Sequence, residues 1–108
     1  MFKPPDDEAT KAAADLCRQH IVNDVRELIE LAVTMQARAG LGEIPDDVSQ
    51  KRFRDAQEHL LEAVQLGMAN GLSRLDVHST ITDAARGERT TEEARLVLYK
   101  VIKSIGGT

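Results

Sequence analysis

Tryptophan is absent, and 108 residues hold only one tyrosine and two phenylalanines. A core with so few rings has to be built from Leu, Ile, Val, Met and Ala, side chains that suit closely approaching helices. Segments in which β-branched and aromatic residues alternate with a period of two are missing as well, so no strand is expected. Cysteine occurs once, at Cys17, which excludes an intrachain disulfide and agrees with a reducing compartment. No apolar run approaches the roughly 20 residues that span a bilayer, and Met1 to Glu8 lacks the apolar centre of a signal peptide. The expectation is a soluble, cytoplasmic chain with no membrane contact. A basic excess is lacking too: the formal net charge is −4 and no third of the chain is strongly basic, which disfavours nucleic acid as a partner. Phosphate-cradling GxxxxGK[ST] and GxGxxG loops are absent, as is a nucleophile elbow.

What the chain does have is helical periodicity. Hydrophobic residues make up 42% and charged residues 30%, enough of each for one globular core in a single domain spanning 1–108. After Pro4-Pro5, with Asp6 or Asp7 as the expected cap, Ala14, Ile21, Val25, Leu28, Ala32, Met35 and Ala39 form a helical stripe that Cys17, Val22, Ile29 and Leu31 widen. This predicts a helix over 7–39. Gly40, Gly42 and Pro45 break it, and Asp46 or Asp47 caps a second helix over 46–70, with Phe53, Ala56, Leu60, Ala63, Val64, Gly67 and Met68 on its apolar face. Ser73 with Asp76 reads as a capping box for a helix over 73–86, carrying Val77, Ile81 and Ala84. Thr90 with Glu93 reads as another, for a helix over 91–105 with Ala94, Val97, Leu98, Val101, Ile102 and Ile105, followed by a frayed Gly106-Gly107-Thr108 tail.

The predicted architecture is all-α: a long antiparallel hairpin and two shorter helices in a four-helix arrangement. The first helix would run about 50 Å at 1.5 Å per residue, against a radius of gyration near 13 Å for a chain of this size. Such a helix must bend or break, near Asn23-Asp24, or lay its broad face against a second subunit, and homodimers are the commonest solution.

Three groups of residues could carry function. Gly67 to Ile81 resembles a helix-turn-helix element, in which Arg74, His78, Ser79 and Thr82 would face a DNA groove. Against that reading, the helix before the turn is long, Asn70 stands where an apolar residue is usual, and Asp76 and Asp83 offset Arg74 and Arg86. Cys17, His20 and Asp24 on the first helix, and His59 with Glu62 on the second, are metal half-sites without the Glu-x-x-His pattern of dimetal bundles. Cys17 beside His20 lacks the third group and oxyanion donors of acyl chemistry. No catalytic residue, metal or cofactor is assigned. The reading left standing is a non-enzymatic interaction module, a small regulatory, adaptor or assembly subunit meeting a protein partner or itself through Val22, Leu28, Ile29 and Leu31. A DNA-binding regulator is the second reading, and a metal-dependent bundle enzyme a distant third.

Overall fold

The computed structural model describes residues 6–44 and 46–106, and the expected breaks at Pro4-Pro5, Pro45 and Gly107-Thr108 lie outside them. Four α-helices follow one another, α1 (Asp6–Gly40), α2 (Asp47–Ala69), α3 (Arg74–Ala85) and α4 (Glu92–Gly106), with no strand among the described residues. The all-α bundle reading holds, and each helix boundary falls within one residue of its expected place.

Local chemistry sets these boundaries. Asp6 and Asp7 lie inside α1 rather than ahead of it. At the far end the amide of Glu43 donates to the carbonyl of Arg38 and that of Gly42 to Ala39. This is the paired closure of a Schellman turn, with Gly42 rather than Gly40 in the left-handed region at φ +85°. Asp46 caps α2, its carboxylate accepting from the Ser49 amide at 2.7 Å. α2 ends in a second Schellman turn, Leu72 donating to Gly67 and Gly71 to Met68 around Gly71 at φ +104°. The expected capping box of α3 forms in full: the Asp76 amide donates to the Ser73 hydroxyl, and the Ser73 amide donates to the Asp76 carboxylate.

The last cap differs from expectation. Thr91, not Thr90, holds the start of α4, its buried hydroxyl accepting from the Ala94 amide at 3.1 Å. Thr90 points its hydroxyl at the Thr91 carbonyl instead. The Thr90-x-x-Glu93 spacing matched a capping box, but burial of Thr91 leaves its hydroxyl as the group that satisfies the enclosed amide.

α1 is the spine, packing along α2, α3 and α4. Its one face carries Cys17, Ile21, Val25 and Leu28; α2 contributes Phe53, Ala56, Leu60 and Val64, α3 Val77, Ile81 and Ala84, and α4 Ala94, Leu98 and Val101 to the same core. Gly67 faces this core closely: a Cβ there would lie 2.8 Å from Leu72 Cδ1 and 3.5 Å from Cys17 Cβ. Of the alternatives for so long a helix, a break near Asn23-Asp24 does not occur. Asn23 lies on the exposed side, where its side-chain oxygen accepts from Gln19 at 3.1 Å, and the helix runs on for about 52 Å. Accordingly the radius of gyration is 16.1 Å, well above the value of about 13 Å for a spherical domain of this length.

Candidate functional site

The face first expected to meet a partner is divided by the fold. Leu28 is fully buried and Ile29 nearly so, both inside the chain's own core, while Val22 and Leu31 are half-buried at its edges. The broad α1 stripe is wide because it is shared among three neighbouring helices, so Leu28 and Ile29 are unavailable to a second molecule in the folded state.

Large apolar side chains are exposed elsewhere. Leu41 and Ile44 project from the α1–α2 loop, beside an ion pair between Arg38 and Glu43. The more ordered arrangement is on α4. Its inward residues Ala94, Leu98 and Val101 are buried, yet Leu96 and Tyr99 remain 52% and 58% exposed on the outward side. They belong to a row, Glu92, Leu96, Tyr99 and Lys103, whose steps of four, three and four residues keep every member on one face, and all four are exposed. The ammonium of Lys103 stands 5.7 Å from the centre of the Tyr99 ring, a cation–π distance. Carboxylates in the first turn (Glu92, Glu93) and a cation in the last (Lys103) suit the helix dipole, and they also give the row opposite charges at its two ends.

Apolar grooves flank this helix on both sides. Between α3 and α4 a groove of about 480 Å³ is lined by Ile81, Ala85, Leu98 and Ile102 together with Tyr99, and Arg86 and Arg95 are among its charged residues. Between α2 and α4 a smaller one of about 240 Å³ is lined by Leu61, Val97 and Val101, with Lys100 beside them. The pattern behind Leu96 and Tyr99 was present in the sequence as two large apolar residues off the main stripe of the last helix; only the packing shows that no neighbour covers them.

The residues singled out on α3 do share a surface. Arg74, His78, Ser79 and Thr82 are all exposed, while Val77, Ile81 and Ala84 point inward. The α2–α3 corner is thus a helix, a Gly71-centred turn and a second helix with these four residues on its outer surface. Cations near it, however, face carboxylates: Arg18 of α1 pairs with Asp15 and lies 4.0 Å from Asp76, and Arg86 lies 3.5 Å from Asp83. A phosphate backbone would have to compete for them.

The metal half-sites come to opposite banks of one seam. Cys17, His20 and Asp24 of α1 line it with His59, Glu62 and Leu66 of α2. Burial pushes the Asp24 carboxyl above its usual range; His59 opposes that shift, Glu27 adds to it and His20 opposes it. No group of three or more His, Cys, Asp or Glu among the described residues is placed to hold a metal ion. Cys17 is buried and free. No helix among the described residues is long and apolar enough to cross a membrane. Comparison with protein-family models, curated proteins and solved structures finds no match to this chain.

Proposed function

We propose that this chain is a helical protein-interaction module, a small assembly or adaptor subunit that receives a partner helix against α4. The observation that carries the reading is the outward row of α4, two large apolar side chains flanked by opposite charges, with an open apolar groove on either side. An exposed Leu–Tyr pair is costly to leave wet and is the kind of anchor that helix-in-groove recognition uses. The charges define the partner. An antiparallel amphipathic helix that sets cations opposite Glu92 and Glu93, and carboxylates opposite Lys100 and Lys103, meets attraction at both ends, whereas the reverse orientation meets repulsion.

The test installs a photo-crosslinking residue in the full chain, at Leu96 in one sample and at Arg54, an exposed position on α2, in another. Polypeptide adducts from position 96 alone, reduced when Lys103 is changed to Glu, are the expected result. Equal labelling from both positions, or labelling indifferent to Lys103, would remove the α4 face from consideration.

A further inference from the structure

The row on α4 is complementary to itself. Taken in reverse order, Lys103, Tyr99, Leu96 and Glu92 present the mirror of the forward sequence at the same four-three-four spacing. We infer that the partner helix is α4 of a second copy of this chain, packed antiparallel about a twofold axis between Leu96 and Tyr99. This rests on the interaction reading above and names its occupant.

In that register Leu96 of each copy lies against Tyr99 of the other, so both of the exposed apolar groups leave water in one contact. Glu92 of each copy comes opposite Lys103 of the other, and Glu93 reaches Lys100 along the flank, so every charged pair along the outer row is one of opposite sign. A parallel pairing would stack Glu92 on Glu92 and Lys103 on Lys103. The antiparallel twofold is also isologous, one patch meeting itself, so assembly closes at two copies instead of growing into a fibre. A helix of 15 residues is about 22 Å long, which places such a contact at the small end of specific interfaces and makes the dimer a concentration-dependent one.

The experiment is sedimentation equilibrium of the full chain at low salt, from micromolar to near millimolar, with three variants whose far-UV circular dichroism is first matched to the parent. The parent is expected to pass from monomer to dimer, and Leu96→Asp to remain a monomer. Glu92→Lys and Lys103→Glu each turn two attractive pairs per dimer into repulsive ones, and each is expected to weaken self-association roughly tenfold. Mixed together, these two variants regain opposite charges at every outer pair and should form a heterodimer about as strong as the parent dimer. That recovery is independent of any change in each variant's own stability. A parent that stays monomeric over the whole range, a dimer that tolerates Leu96→Asp, or a mixture with no heterodimer preference would each overturn the inference. Its failure is separable from failure of the interaction reading: crosslinks from position 96 to a chain of different mass keep the face and discard the second copy, whereas no position-specific crosslink discards both.

Discussion

Thr91 is a small side chain that caps the start of α4, and its effect can be worked out. The residue is 6% exposed, and its hydroxyl accepts from the Ala94 amide at 3.1 Å. Replacing it with Val keeps the branched shape and nearly all of the buried apolar area, so the substitution isolates the hydroxyl. Loss of a helix N-cap costs about 1 kcal/mol, and an amide left buried without a partner costs about 1–3 kcal/mol. Because Ala94 is itself fully enclosed, water cannot replace the lost acceptor, and a total near 2 kcal/mol follows. For a domain of this size that corresponds to a fall in Tm of roughly 10 °C. Urea denaturation followed by circular dichroism measures it directly. Thr90→Val is the control: its hydroxyl makes only a 3.4 Å contact to the Thr91 carbonyl, and a loss below about 0.5 kcal/mol is expected. Thr91→Ser, which retains the acceptor, should recover most of the loss. If Thr90→Val proves the more damaging of the two, the cap lies at Thr90 and the account of how α4 is anchored is wrong.

Other consequences can be checked on the same preparations. Leu28→Ala empties a fully buried site on α1 and should cost about 2–5 kcal/mol in urea denaturation, while Leu41→Ala, at a side chain 83% exposed, should be close to neutral. Gly67→Val sets a branched side chain against Leu72, whose Cδ1 would have to move, and beside Cys17 and Ile21, and should destabilise by roughly 1–3 kcal/mol despite the gain in helix propensity. Asp24 is held above its ordinary pKa by burial, so its ionised form disfavours the native state. The native state therefore loses stability as pH rises through the raised value, and Asp24→Asn should raise Tm at pH 7 but not below about pH 4, where the parent carboxyl is protonated. A Tm gain independent of pH would assign the effect to packing rather than charge. Finally, because the cations beside α3 already face Asp76 and Asp83, duplex DNA should not be retained at low salt; salt-sensitive binding weakened by Arg74→Ala would reinstate the groove-reading role of that face.

The elements were legible because helix boundaries are local chemistry. The Ser73–Asp76 box, the Asp46 cap and the glycine-centred turns at Gly42 and Gly71 are all decided by residues within five positions of one another. A single sequence carries such information in full. Thr91 marks where that ends: two adjacent threonines offer the same hydroxyl, and which of them caps depends on which is turned into the core. The unbroken helix expected over 7–39 survives Asn23 and Asp24 for a packing reason. Asn23 and Asp24 are mediocre helix formers, but they sit on the outer side and at the seam while Ile21, Val25 and Leu28 hold the backbone from within.

Placing a partner face on α1 met a physical ambiguity that periodicity alone cannot resolve. A broad apolar stripe results equally from one helix facing several neighbours in its own chain and from one helix facing a neighbour and a partner. On α1, Leu28 and Ile29 are taken up by intramolecular packing. The informative residues were those outside every stripe. Leu96 and Tyr99 add nothing to the core, lie on the polar side of a short amphipathic helix, and are separated by the three positions that align them along its axis. A single exposed Leu is ordinary. Two large apolar side chains in register, closed at one end by Glu92 and at the other by Lys103, are instead the pattern on which the proposed α4 contact rests.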